Sequence, residues 1–368
     1  MSTETVAPAA RKLAPPRVSL LTVLERGALG MALVVLVVFF ATNSTSGDAF
    51  TSAANIRNIL GNQSVTGLIA LAMVIPLLCG YFDLSVAAIA GLANVTSAAL
   101  ISTHGAPVWV GILGGIAIAV AAGCVNGILV AGLKLNGFIV TLGTYTLVGG
   151  LIQLYTKGQS IFSGIPASFR EWGSQEWIGL PRPFILFMVV GLLVWYGLSH
   201  TPFGRQLESI GSSERAARLV GIRVDRSVFL AFLASGAIAG VAGALMTSRT
   251  GGADPTAGPG YLFPALTAVF LGATTIRPGH YNVWGTVLGV FFAAIAISGL
   301  SLLGADTWIT PTFNGAALVV AVAISTVAAR RREVRAESAL RAQMSSRDEP
   351  DGGAAVAPPG AGSPVDRP

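Results

Sequence analysis

The chain has 368 residues, 53% of them hydrophobic and only 11% charged, with a formal net charge of +6. A mean hydropathy of +0.70 excludes an ordinary soluble domain, and repeated apolar runs of bilayer-spanning length indicate an all-α polytopic membrane protein. The basic excess flanks those runs and fills the tail, so it speaks of membrane orientation and against nucleic-acid binding.

Residues 1–19 are polar and Ala/Pro-rich and read as a cytoplasmic segment without a cleavable signal peptide. About ten helical spans are expected after it, over 20–41, 59–79, 85–101, 108–131, 138–155, 183–198, 228–247, 261–275, 282–303 and 310–328. The first is interrupted by Glu25-Arg26 and the eighth is short and glycine-flanked, so nine or eleven crossings fit the same pattern. With ten crossings and both termini cytoplasmic, only Arg57, Lys157, Arg170, Arg182 and Arg249 of the 23 basic residues fall outside, as the positive-inside rule requires.

The outer segment Thr156–Arg182 holds Trp172 and Trp177, either as interfacial aromatics or as a docking surface for an external partner. After the tenth span the chain turns Arg-rich, then Pro/Gly/Ala-rich, and disorder is expected over 329–368. The Arg330–Arg332 cluster suits anionic lipid. The expected organisation is therefore a segment 1–19, a membrane domain 20–328 with a polar cytoplasmic loop at 199–227, and the tail 329–368.

Glycines recur four apart at Gly111/Gly115, Gly123/Gly127, Gly236/Gly240 and Gly285/Gly289, a spacing that lets membrane helices approach closely. Leu78–Ala93 and Leu271–Gly289 echo one another: a glycine-containing break, a polar patch, then a small-residue helix. Such an echo suits a transporter built from two related halves.

No phosphate-binding G-x-x-x-x-G-K-[ST], H-E-x-x-H or G-x-S-x-G motif occurs, His104, His200 and His280 are scattered, and Cys79 and Cys124 stand alone. Neither a catalytic nor a metal site is expected. Asp83 stands out as an ionisable residue at membrane depth, where charge is costly unless paired or wet. It reads either as a helix N-cap for the third span or as a path residue. Asn62, Gln63, Asn94, Asn126 and Gln153 are uncharged amides in or beside spans, fit to bind a polyhydroxy solute or to bond helix to helix. Candidates for a translocation path are Gln63, Asp83, Asn94 and Asn126. Within the polar island Thr201–Ser227, a short helix is expected over Glu214–Ile222, ending at Gly221.

Four segments in order resemble the permease subunits of bacterial ATP-binding-cassette (ABC) importers for simple sugars, of the ribose/xylose/galactose type. Gly80–Ala88 (GYFDLSVAA) is similar to that family's G-G-x-D-L-S-V-G, and Asn126–Thr144 (NGILVAGLKLNGFIVTLGT) to its N-G-x-L-V … F-I-V-T-L-G-T. The island matches T-x-F-G-R-x-x-x-A-I-G-x-N-x-x-A-A-x-x-x-G-I, and Tyr261–Thr286 runs parallel to a segment ending G-G-T-S-x-x-G-G-x-G-x-x-x-G-T. The departures are Tyr81 and Ala87 in place of glycines, Asn136-Gly137 in place of proline, and Arg277–Asn282 in place of a glycine-rich turn.

The resemblance implies an ABC importer permease fold in a bacterial inner membrane and no enzymatic activity on this chain. ATP and Mg would bind a partner cytoplasmic ATPase. Other implied partners are an extracytoplasmic solute-binding protein and a second copy of the permease or a related chain. Glu214, Arg215, Ala216, Ala217, Arg218 and Gly221 would form the coupling helix that docks on the ATPase. The alternative from another class is an ion- or proton-coupled secondary carrier acting alone.

Overall fold

The computed structural model describes residues 20–345. In chain order the first elements are α1 (Leu20–Thr42), α2 (Gly47–Thr51), α3 (Ala53–Leu78), α4 (Val86–Ser102), α5 (Val108–Gly127), continued by a π-helical turn Ile128–Gly132, and α6 (Gly137–Thr156). Next come α7 (Ala167–Ser174), a hairpin of β1 (Glu176–Trp177) and β2 (Leu180–Pro181), α8 (Arg182–His200), α9 (Pro202–Ser212) and α10 (Glu214–Leu219). The last are α11 (Val224–Thr250), α12 (Leu262–Gly272), α13 (Val283–Leu302) and α14 (Ile309–Ser345).

Every expected span coincides with a helix. Six helices among the described residues are long and apolar enough to cross a membrane: Ala53–Leu78, Val108–Gly132, Gly137–Thr156, Arg182–His200, Val224–Thr250 and Val283–Leu302. The apolar stretches Gly27–Thr42, Val86–Ser102, Pro259–Gly272 and Ile309–Ile324 are shorter.

The helix α14 departs from expectation. It runs unbroken to Ser345, although disorder was expected from 329. The run 329–345 is rich in Ala and Arg, with two Glu, residues of high intrinsic helix propensity, which needs no apolar face to act. The described residues divide after Ser325 into two compact units, and everything below concerns the first. Segments 1–19 and 346–368, expected to be polar or disordered, lie outside the described residues.

Local chemistry sets the helix ends. Ser52, Asn136, Ser213 and Asn282 each accept a backbone N–H of the following first turn, closing α3, α6, α10 and α13 at their starts. At the end of α3, Pro76 lies just before a break in which the carbonyl of Pro76 accepts from Cys79 and Tyr81. Gly80 there takes φ +85, a conformation costly to residues with a Cβ.

The core is built around α3, α4 and α11. Residues 68–75 of α3 and 86–90 of α4 are buried without exception. In lipid no hydrophobic force drives helices together, so close van der Waals fit and hydrogen bonds must do it. The glycine pairs serve that fit. A Cβ on Gly123 would come 2.5 Å from the carbonyl oxygen of Phe232, and one on Gly236 would come 2.6 Å from that of Ala119. These contacts bring α5 and α11 backbone to backbone. Gly285 likewise abuts Gly272, and Gly289 abuts Ala268, joining α12 to α13.

The internal echo has a structural counterpart. α3 breaks over 79–85 before α4, and α12 breaks over 273–282 before α13. Asp83 and Asn282 each receive a backbone N–H at the break, from Ser85 at 3.1 Å and Gly285 at 2.6 Å. Phe82 and Tyr281, the residues just before them, both pack on Phe270, at ring distances of 6.2 and 5.7 Å.

Candidate functional site

The polar island forms a helix pair at one end of the bundle. α9 is amphipathic and buries Leu207 and Ile210, while Gly211 presses on the carbonyl of Leu78 at the end of α3. α10 follows after Ser213, whose hydroxyl accepts the Ala216 N–H at 3.3 Å. An acidic Glu214 in the first turn and Arg218 in the last complement the helix dipole.

Ion pairs fasten α10 to its neighbours. Arg218 donates to Glu214 at 2.8 Å and to Asp225, at the start of α11, at 2.6 Å. Asp225 also pairs with Lys134, just past the π-helical turn that ends α5. Asp225, then Glu214, raises the Arg218 pKa above its ordinary value. Arg277 reaches Glu208 of α9 at 3.4 Å. At the opposite end Arg57 pairs with Glu176. The segments that the charge rule assigns to one side of the membrane are thus the ones that pair with one another.

The residues expected on the coupling helix divide by face. Glu214, Arg215 and Ala216 are exposed, as is Gly221 at φ +84. Ala217 is not: it is 2% exposed and packs with Ile75, Cys79, Val130 and Phe232. A reading that has both alanines meet a partner is corrected here, because successive helical residues point about 100° apart. Arg218 uses its guanidinium within the chain, whereas Arg215 makes no ion pair among the described residues. The missed residues are Leu219 and Val220, 82% and 76% exposed. The available signal was two apolar side chains within a polar loop that has no core of its own to fill.

A buried polar thread crosses the middle of the bundle. Asp83, 2% exposed, accepts the Ser85 hydroxyl at 2.5 Å and the Ser235 hydroxyl of α11 at 3.1 Å. Asn126 of α5 donates to Ser85 at 2.8 Å and accepts from Thr144 of α6 at 2.6 Å. Asp83 therefore ties the start of α4 to α11, and through Ser85 and Asn126 the thread continues to α5 and α6. Nearer the opposite end Asn94 donates to Thr247 at 2.8 Å and to the carbonyl of Gly252 at 3.0 Å. Asp83, Asn94 and Asn126 are thus bonded to protein in this structure.

Gln63 is placed differently. It lines a cavity of about 460 Å³ together with Thr66, Tyr261, Thr310 and Asn314. An adjoining cavity of about 200 Å³ extends to Arg249, whose guanidinium donates to the Gly173 carbonyl at 3.0 Å and to the Asn62 side chain. Tyr261 and Arg249 sit at helix ends, where apolar periodicity says nothing, and Asn314 is a single amide within the tenth apolar run.

In the segment before α8, Trp172 packs against the core and lines an apolar crevice. Trp177, half exposed, lies under the Arg182 guanidinium at 5.1 Å. Among the described residues no group of three His, Cys, Asp or Glu could hold a metal ion.

Comparison with known proteins agrees with the sugar-permease resemblance. The ribose import permease protein RbsC of Bacillus subtilis (strain 168) is 35% identical over 295 residues, covering 80% of this chain and 90% of that protein. Its namesake in Escherichia coli (strain K12) is 31% identical over 296 residues, or 80% and 92%. The L-arabinose transport system permease protein AraH of Escherichia coli (strain K12) is 32% identical over 293 residues, or 79% and 88%. A family model described as branched-chain amino acid transport system / permease component matches residues 55–324, from early α3 into α14. On that match, which takes in both helix breaks and the α9–α10 pair, the chain belongs to this permease family.

Proposed function

We propose that this chain is the membrane-spanning subunit of an ATP-driven importer that carries a monosaccharide or a similar small polyhydroxy solute inward. The named relatives handle ribose and L-arabinose, and a further one D-allose. ATP and Mg bind a separate cytoplasmic ATPase, an extracytoplasmic protein delivers the solute, and a second copy of the chain or a related one completes the membrane domain. Ten helices cross a bacterial inner membrane, with both termini and the α9–α10 pair on the cytoplasmic side.

The observation that supports coupling is the fastening of α10. Its cap, the buried Ala217 and the Lys134–Asp225–Arg218–Glu214 network make α10 move as one with the ends of α5 and α11. Its outer face offers Arg215, Ala216, Leu219 and Val220 to a groove on the ATPase. When ATP draws the ATPase pair together, the docked helix transmits the displacement to the spans and alternates access.

The test is to purify the tagged chain gently from native membranes, identify its partners and assay ATP hydrolysis. A stoichiometric ATPase subunit is expected, lost when Leu219 and Val220 are both changed to Asp. Gly221→Pro should abolish uptake while the chain still inserts. A chain that purifies alone and moves sugar into liposomes under an ion gradient without ATP would overturn this reading in favour of the secondary carrier.

A further inference from the structure

The 460 Å³ cavity lies between α3, the start of α12, α13 and the first turns of α14. Its size falls within the range of small-molecule sites. The polar lining is Gln63, Thr66, Tyr261, Thr310 and Asn314; the rest is small or apolar, including Ala293, Ala294 and Ile297. No charged side chain contributes. Along α3, Gln63 and Thr66 stand about 20 Å from Leu78, where α9 docks, at 1.5 Å per residue. The cavity therefore belongs to the half of the bundle away from α10, where an incoming solute arrives first.

Three of its side-chain polar groups make no hydrogen bond among the described residues. Asn314 is 3% exposed, and its side-chain oxygen accepts no hydrogen bond among the described residues. The Gln63 amide and the Tyr261 hydroxyl, both only partly buried, face the same cavity without a hydrogen bond among the described residues, though the Arg249 guanidinium acts on Tyr261 electrostatically. The other buried amides behave oppositely: Asn94 and Asn126 are bonded on neighbouring helices. A buried acceptor is costly to leave unmade, so Asn314 Oδ1 calls for a donor, and a ligand that supplies both donors and acceptors would also meet Gln63 and Tyr261 in the same cavity.

We propose that this cavity is a solute-binding site contained within the single subunit, accepting one neutral polyhydroxy molecule. A solute hydroxyl donates to Asn314 Oδ1. The Gln63 amide and the Tyr261 hydroxyl serve further hydroxyls, while Ala293, Ala294 and Ile297 face the carbon skeleton. With no carboxylate in the lining and Arg249 on the adjoining cavity, cations are disfavoured, since they would be desolvated without compensation. Thr310, exposed at the start of α14, marks the mouth. The inference rests on the permease reading and names the place and chemistry of a binding step that reading leaves open.

The test uses the permease–ATPase complex in liposomes with ribose, D-allose, L-arabinose and a wider set of pentoses, hexoses and polyols. Asn314→Leu and Gln63→Leu remove hydrogen-bonding groups at similar volume. Each should raise KM for the transported sugar about tenfold, the loss of one good hydrogen bond. A second measurement needs no transport. Alkylation of a Thr310→Cys thiol, read against the wild-type background from Cys79 and Cys124, should be slowed by the sugar and not by salt. Unchanged KM in both leucine variants, or a thiol no sugar protects, overturns the site and leaves a cavity filled by water alone. Absence of ATP-driven uptake by the wild-type complex would instead overturn the permease reading, and the thiol assay would still decide the site.

Discussion

The Tyr81 hydroxyl donates to Glu214 Oε2 at 3.3 Å, joining the break between α3 and α4 to the first turn of α10. Tyr81 stands at a glycine position of the G-G-x-D-L-S-V-G motif that this segment resembles, and it makes a link there that a glycine could not make. Desolvation first, and Glu214 second, push the phenol up to about 12. Folding raises it above its ordinary 10.0, so the contribution of the protonated phenol is fully present below pH 10 and is lost only as pH rises through about 12.

Tyr81→Phe keeps the ring against Phe232 and removes the donor. Because the bond is solvent-accessible, the melting temperature in detergent should change little, by the equivalent of at most about 1 kcal/mol. Sugar moved per ATP hydrolysed should fall, since α10 then moves with less hold on the break. An unchanged ratio would show that the hydroxyl takes no part in coupling.

Asp83→Ala strands the Ser85 N–H and the hydroxyls of Ser85 and Ser235, all buried. Each stranded group costs about 1–3 kcal/mol, so a clearly lower melting temperature is expected. Asp83→Asn retains an acceptor and should lose less. A variant that melts like wild type but binds sugar more weakly would favour the path reading of Asp83 over the structural one.

Glycine positions give a paired prediction. Gly236→Leu drives a side chain into the Ala119 carbonyl and the Gly123 backbone, and overpacking of this kind costs about 1–3 kcal/mol or more. Gly149 of α6 has nothing within 4 Å of an added Cβ. Gly149→Ala should therefore be neutral or stabilising by up to about 1 kcal/mol through helix propensity. Thermal unfolding of the two variants side by side checks the contrast.

At the tip of the β1–β2 hairpin, Ile178 takes φ +56 and is 99% exposed. A β-branched residue is strained there by about 1–2 kcal/mol, and a two-residue hairpin turn favours Asn followed by Gly. With Gly179 already in place, Ile178→Asn should raise the melting temperature. If the extracytoplasmic solute-binding protein docks on this tip, the same change should weaken its binding, measurable by surface plasmon resonance on the reconstituted complex. A lower melting temperature would show that Ile178 has packing partners in the assembly.

Much of the fold was legible because a bilayer demands that backbone groups be satisfied within each segment, so every crossing must announce itself as a helical apolar run. The capping side chains Asn136 and Asn282 and the close-packed glycines follow the same local logic. α9 was not legible: its apolar stripe of Leu207 and Ile210 is short and set among charges. Nor was the inward turn of Ala217, which depends on what α10 packs against.

The sequence alone determined the apolar spanning helices, their breaks at Gly80 and near Arg277, the sorting of charge between the two ends and the resemblance to sugar permeases, since all of these are settled within one segment or by order along the chain. Only the tertiary structure decided which polar residues are occupied and which are open. Asn94 meets Thr247 across 153 residues and Asn126 meets Ser85 across 41, while the side chains of Gln63, Tyr261 and Asn314 gather around a cavity without a hydrogen bond among the described residues. Hydrogen-bond satisfaction is a property of pairs remote in sequence, and nothing in the neighbourhood of an amide along the chain reveals whether another helix will reach it.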